Sequence, residues 1–435
     1  MSTTKTGFDP ALYQRIQLAR RMELARLAAR RMQLARMTPA AVAASGAGAG
    51  GGGAEPEPPP PGPTSGFLVD GVHAETMAEA IRLVNASEGG VSKVLLCGNI
   101  DLDETDAGAD LPALTHSFDF DLQGHEIKTN GAFSRGSSCG YGWGDRLFRI
   151  QLPDSAEQPA VSGSIRNGSV KAAVSGTRTG FLYTESTLPV NLKDLTIDWD
   201  LTGVPGGYGG RMGVIGYCGS SGAVLENVKC AVVGHDQQGC FEAQTFDDLD
   251  HPEYVFRLAG CEFSQKSVDQ TASAYGRSTR TGAVFAGQQV TIDIDGGRYS
   301  SDNGYCTLGT FSSGASLNVG GGAEIAAKSS AGGEPGPAFR GETADGSRVR
   351  YGISDAVARQ DSGKMFAWSH MAGGFADPAV SWTIGGGEFY GFSPETNSNT
   401  STSIEGGSFD ADVAEYCAPG KTCSWDEAAG MWTVS

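Results

Sequence analysis

From residue 118 onward the chain alternates apolar and polar residues over short runs. Phe118, Phe120 and Leu122 fall on one side, with Asp119 and Asp121 on the other. Leu195, Ile197 and Trp199 oppose Thr196, Asp198 and Asp200, and Ile292 and Ile294 oppose Asp293 and Asp295. A period of two belongs to a half-buried strand. Many runs lead into one recurrent hexad: apolar, any residue, Gly/Asn/Asp, any two residues, apolar. It occurs at 122–127, 165–170, 192–197, 225–230, 258–263, 294–299, 384–389 and 404–409, and in part at 319–324. Its third position is Gly124, Asn167, Asp194, Asn227, Gly260, Gly296, Gly386 or Gly406. These residue types accept positive φ most readily. Each is therefore the predicted corner between two short strands, with the flanking apolar residues pointing inward. Self-similarity at coil-length intervals indicates a solenoid. The expected fold is all-β, a single parallel β-helix. The long gaps between Gly124 and Asn167 and between Gly321 and Gly386 each predict one hidden, degenerate coil.

Upstream the pattern changes. Residues 73–85 place Met77, Ala80, Ile81 and Val84 on one side of a short helix. Such a helix would cap the open end of the solenoid, whose terminal strand otherwise exposes unpaired backbone. A strand at 93–97 follows. Residues 10–37 are rich in Leu, Ala, Met, Arg and Gln, all strong helix formers. There 19–27 repeats as 29–37. A ten-residue shift turns by about 80° around a helix, so no fixed apolar stripe results and a coiled coil is not expected. Residues 38–66 run from a Gly-rich stretch into Glu-Pro and Pro-Pro steps, a flexible linker with a stiffer end. The domains are thus 1–37, a basic helix; 38–66, a linker; and 67–435, the β-helix, with a C-terminal cap near 404–435.

Charge divides the chain in the same places. The formal net charge is −18. Residues 1–37 hold Lys5 and seven arginines against Asp9 and Glu23, about +6, which leaves about −24 for the rest. So acidic a body repels nucleic acid and other polyanions; a neutral glycan or a protein suits it better. The basic helix has three readings: a solvated helix, an anchor docking residues 10–37 into a larger assembly, or a contact with membrane or nucleic acid. Arginines interrupt any apolar signal region, and no apolar run is long enough to span a bilayer. The nine cysteines include no CxxC, and no EF-hand spacing occurs, so neither a metal nor a cofactor is expected. Cys417 and Cys423 are close enough to clip a loop by a disulfide in an oxidising setting. The other cysteines read as small buried hydrophobes.

The stretch 118–127 and the C-terminal run from Ile404 through Tyr416, Gly420 and Gly430 to Val434 resemble the first coil and end cap of adhesin-like, pectin-lyase-type right-handed β-helices of gut bacteria and their phages. Gln123 stands where that first-coil pattern usually has Asn. The resemblance covers about 67–435 and implies the fold and its right hand. It carries no catalytic residues. A basic anchor, a linker and a β-helix look like the layout of a phage virion appendage, so a virion or a cell surface is the expected location. Elongated β-helices often associate as side-by-side trimers; a homotrimer is an expectation, although no interface stripe is readable.

For chemistry, the candidates are outward carboxylate pairs: Asp198 with Asp200, Asp293 with Asp295, and Asp247, Asp248 and Asp250 beside His251. Residues i and i+2 of a strand lie about 6–7 Å apart, within reach of paired-carboxylate glycoside hydrolysis. Solvated surface Asp is the simpler reading. His235 and Asp236 form a loop candidate of the same weight. No GxSxG elbow is present, and Arg277 with Arg280 and Arg348 with Arg350 are isolated pairs, which argues against a polyanionic substrate. Loops on a rigid solenoid are the usual place for recognition. Tyr208, Tyr217 and Trp368 are the candidate sugar-stacking aromatics, with Trp382 either there or in the core. The expected function is a non-enzymatic attachment protein binding a glycan or protein. The alternatives are a polysaccharide hydrolase or lyase, and a structural spacer.

Overall fold

The computed structural model describes residues 63–435 apart from 108–110, 132–144, 151–160, 176–178, 187, 205–212, 219–221, 235–238, 245–253, 269–281, 288, 311–313, 331–335, 344–347 and 371–378. The predicted basic helix and nearly all of the predicted linker lie outside the described residues.

The body is a parallel β-solenoid. Its strands fall into a 23-stranded and an 8-stranded sheet. The larger sheet bends at the corners, so each coil presents two faces from it and one from the smaller sheet. On the first face, Phe120, Ile165, Leu192, Leu225, Leu258, Ile294, Val319, Ile353, Ile384 and Ile404 stack in one register column. On the second, Ile127, Val170, Ile197, Cys230, Phe263, Tyr299, Ile325, Ala358, Phe389 and Phe409 do the same. The third contributes Phe148, Leu182, Ile215, Phe241, Val284, Leu308, Phe339 and Phe366. All are buried and belong to one core. Every second residue points inward, and a parallel in-register ladder places it over its counterpart one coil away.

The corners bend where the hexad places them, with two corrections. Gly124, Asn167, Asp194, Asn227, Gly260 and Gly296 have φ between +50° and +80°. At the last two corners the left-handed residue is Gly387 or Gly407, not Gly386 or Gly406. Glycines on both sides let the bend fall one residue later. The first corner is also longer: Gln123 is left-handed beside Gly124, so Phe120, not Leu122, stacks on Ile165. The gap from Gly321 to Gly386 holds one further coil, Val349–Ile353 and Ala356–Gln360, turning at Ser354 and Asp355. The gap from Gly124 to Asn167 holds none. Phe118–Asp121 and Glu126–Thr129 both pair directly with Gly163–Ser175, and the gap also carries the strand Asp145–Ile150 of the smaller sheet.

Both ends depart from the parallel pattern. Helix α1 (Met77–Asn85) begins later than residue 73, because Val72–Ala74 is a strand. Thr76 caps it, and the Asp106 carboxylate accepts from the Met77 and Ala78 amides at 3.0 and 2.9 Å, meeting orphan donors at the positive end of the helix dipole. Met77, Ala78, Ala80, Ile81 and Val84 are buried in the core. At the other end Met431–Val434 pairs antiparallel with both Gly407–Phe409 and Cys423–Asp426. No helix among the described residues is long and apolar enough to cross a membrane.

Two corner glycines separate backbone strain from steric crowding. A Cβ on exposed Gly124 (φ 80°) would meet nothing within 4 Å, whereas on Gly297 (φ 89°) it would lie 2.0 Å from the Cys261 carbonyl oxygen. Gly124→Ala is expected to cost about 1–2 kcal/mol, the left-handed penalty alone. Gly297→Ala should cost ~3 kcal/mol or more, because overpacking adds to the strain. Urea denaturation of the two variants checks this; equal losses would refute the corner geometry.

Candidate functional site

The first two faces hold their outward charges in ladders between successive coils. Lys193 meets Glu226 at 3.0 Å, Lys229 meets Glu262 at 2.9 Å, Arg257 meets Asp295 at 2.7 Å and Arg298 meets Glu324 at 3.1 Å. Each pair is about half exposed, so solvent screens it and it adds little to stability. The aspartate candidates belong to this pattern and lie on two different faces. Asp293 accepts from the Asn318 side chain at 2.7 Å, and Asp295 holds Arg257. Asp200 accepts from the Thr202 amide at 2.8 Å, and half-buried Asp198 neighbours Lys171 in register. The structure does not bring the two pairs together. Arg166 reaches Asp119 at 3.1 Å and Asp121 at 2.6 Å. Burial pushes the Asp119 carboxyl up, but bonds from Arg166 and Ser164 outweigh it and hold the group below its ordinary value.

The aromatic candidates move inward. Tyr217 is fully buried, and its hydroxyl donates to the Val190 carbonyl at 2.6 Å across the core, so it offers no platform for a sugar. Trp382 is likewise in the core. Trp368 is half-buried and packs against the core, and its amide donates to Glu395 at 2.8 Å. Inward-facing positions of a strand are the cause in each case: Tyr217 and Trp368 share a register column with Ala243, Ala286 and Thr310. Tyr208, His235, Asp236, Asp247, Asp248, Asp250, His251, Arg277 and Arg280 lie outside the described residues, and Arg348 and Arg350 are exposed. Cys417 and Cys423 are free, half-buried thiols.

The third sheet differs. Its inward residues leave Arg149, Tyr183, Gly216 and Glu242 in one outward column, with Cys218 beside Gln244 in the next. On the other faces such positions are largely solvated. Here Tyr183 and Cys218 are 0% exposed and Glu242 is 1% exposed. Gly216 carries no side chain, so Tyr183 and Glu242 face each other across two strand spacings, ~10 Å. The Tyr183 hydroxyl donates to the Glu185 carboxylate at 2.5 Å. Burial, then Glu185 and Glu242, push the Cys218 thiol well above its ordinary pKa, against opposing bonds from Gln244 and Tyr183. That thiol is neutral at physiological pH and is not a nucleophile.

Further along the same face a second polar group stands beside a small apolar cluster of Phe285, Tyr305 and Cys306. The Arg340 guanidinium lies 3.9 Å from the Tyr305 ring centroid and donates to its hydroxyl at 3.0 Å. That hydroxyl donates to Glu342 at 3.2 Å, and Glu342 is 4% exposed. The connections into and out of this sheet are the long ones. Only Gly260 and Cys261 separate Val255–Ala259 from Glu262–Ser267, whereas residues 268–283 separate the latter from Val284–Ala286. Among the described residues no group of three His, Cys, Asp or Glu side chains is placed to hold a metal.

Sequence reasoning missed this face. The signal was present in the short runs Ile215–Cys218 and Phe241–Gln244, where Glu242 alternates with Phe241 and Ala243. It reads as ordinary alternation, because burial of the outward side leaves no mark on a period of two. Compared with known proteins, the chain matches no family model, no curated protein and no solved structure. What the fold itself defines is a parallel β-solenoid.

Glu242→Gln removes a buried charge at nearly constant shape. Because the buried carboxylate has partners in the fold, the variant is expected to lose about 3 kcal/mol in urea denaturation. An unchanged midpoint would refute a structural role for the charge.

Proposed function

We propose that the chain is an attachment or recognition protein, a right-handed parallel β-helix that binds a glycan or protein on a cell surface through the side of the solenoid that carries its third sheet. The right hand is that expected for connections between parallel strands. The observation that carries this reading is the polar row of Arg149, Tyr183, Glu185, Cys218, Glu242 and Gln244, in which Tyr183, Cys218 and Glu242 are buried and the other three half-buried. A solenoid has no need of it: the core columns beneath supply the stability, and taking carboxylates out of water is costly. The other faces keep their charges in solvated ladders. A local rule broken on one face, flanked by the longest connections, marks a site of function. The acidic body suits a neutral glycan or a protein better than a polyanion. A virion appendage or a bacterial surface adhesin is the setting that fits the basic N-terminal segment, with residues 10–37 as its anchor.

One observation favours a second reading, glycan cleavage. Glu185 and Glu242 are two carboxylates on one outward face, both near enough to raise the Cys218 thiol's pKa, and a pair of carboxylates is what acid–base glycan cleavage uses. A glycan panel applied to the full chain, scored for both binding and reducing-end release, separates the readings. Attachment predicts binding without release, weakened at least tenfold by Glu242→Gln. Release abolished by Glu185→Gln and Glu242→Gln would replace it with the enzyme; no binding at all would leave a structural spacer.

A further inference from the structure

The C-terminal cap joins the last coil through Met431–Val434 on Gly407–Phe409 and through the Ala418 amide, which donates to the Ile404 carbonyl at 2.8 Å. Residues 418–421 make a tight turn in which the Lys421 amide donates to the Ala418 carbonyl at 3.0 Å. Pro419 and left-handed Gly420 (φ 84°) occupy its central positions, the pattern of a type II turn. The turn folds the chain back on itself. Cys417 then lies against the last coil, bridging Ile404, and Cys423 opens the hairpin strand opposite Val434. The two sulfurs converge on one short segment: the Cys417 thiol donates to the Val413 carbonyl at 3.7 Å, and the Cys423 thiol to the Asp412 carboxylate at 3.8 Å. Both thiols are half-buried, whereas Cys218, Cys230, Cys240, Cys261 and Cys306 are buried.

We infer that Cys417 and Cys423 are an oxidisable pair whose disulfide locks the C-terminal cap onto the last coil. The partner is a small disulfide such as oxidised glutathione. The thiolate of one cysteine attacks a glutathione sulfur and expels one glutathione thiolate; the second cysteine then attacks the mixed disulfide and expels the other. Two protein thiols become one disulfide, and the oxidant becomes two thiols. Burial, with Cys423 and Asp412 nearby, holds the Cys417 thiol above its ordinary pKa, so exchange runs faster at pH 8 and above than at neutrality. The consequence is specific to a solenoid. The strand Met431–Val434 covers the otherwise unpaired Gly407–Phe409, and a strand edge left open invites pairing with another chain. A link closing a loop of this length limits fraying of the hairpin that protects that edge. The inference does not depend on the recognition reading above.

Lys421 lies between the two cysteines, and the preceding basic residue is Lys364. Trypsin therefore places Cys417 alone in peptide 365–421 and Cys423 alone in peptide 422–435. The full chain is treated while folded with oxidised glutathione at pH 8, alkylated, unfolded and digested without reductant. The two peptides are expected joined by mass, and separate after reduction and in Cys423→Ser and Cys417→Ser. Recovery of both peptides separately from the oxidised wild type, alkylated or carrying glutathione, would overturn the pairing. The Thr422 and Ser435 amides, which bond each other's carbonyls at 3.1 Å, give the second readout. Their hydrogen exchange is expected to slow by about tenfold or more on oxidation; equal rates would show that the link does not lock the cap.

Discussion

The constraint on which everything else rests is register. Each strand gives its backbone N–H and C=O groups to the coil above and the coil below, so one coil fixes the position of the next. A slip by one residue would turn every inward side chain to the solvent. The aliphatic column from Phe120 to Ile404 makes such a slip costly at every level. The left-handed corners make it unlawful for the backbone as well, because Asn167, Asp194 and Asn227 must stay at the bend. Asn227 also donates to the Asp194 side chain at 3.0 Å and Asn167 to Asp121 at 3.1 Å, so the corner residues stabilise each other between coils as well as bending within them. Among the described residues, parallel pairing gives way to antiparallel strands at the two ends, with α1 packed beside the first of them.

In-register stacking also decides what outward residues can be. Neighbours in a column are about 4.8 Å apart, so like charges repel and opposite charges pair. The Lys229, Glu262, Arg298, Glu324 column alternates accordingly. This explains why the outward aspartates of the first two faces are occupied in ladders or turns. The same rule makes the third face unusual. Its column runs Arg149, Tyr183, Gly216, Glu242, Phe285, Gly309, Arg340, without alternating charge and with glycines opening space beside the bulky members.

Much of the fold was legible in the sequence, because both of its determinants are local. Period-two alternation reports which side is buried, and Gly, Asn or Asp reports where the chain bends. Errors arose where a glycine run made the bend position degenerate, at Gly386 and Gly406, and where the length of the gap from Gly124 to Asn167 suggested a coil although the strands on either side of it pair directly. The site was far less legible. The sequence distinguishes inward from outward but not one outward face from another. Tyr217 is a sugar-stacking candidate by residue type, yet its phase with Ile215 places it in the core. Glu242 drew none, since an acidic residue alternating with apolar ones is what an ordinary solvated strand position looks like. What separates it from Asp198 or Asp293 is the burial of its face, and that is a property of the assembled coils.

A solenoid can carry such a face because its stability is a sum over coils and their nearest neighbours. Beneath Tyr183 and Glu242, the column of Leu182, Ile215, Phe241 and Val284 continues unbroken. Phe241 packs against Phe256 and stacks on Phe263 at ring distances of 6.0 and 6.2 Å. The cost of dehydrating Glu242 is therefore confined to the coils that contain it and is offset within those coils. Here the architecture separates what holds the molecule together, which faces inward, from what it displays. Among the described residues the two diverge on the third sheet, where the inward column is as apolar as the others while the outward positions bury Tyr183, Cys218 and Glu242.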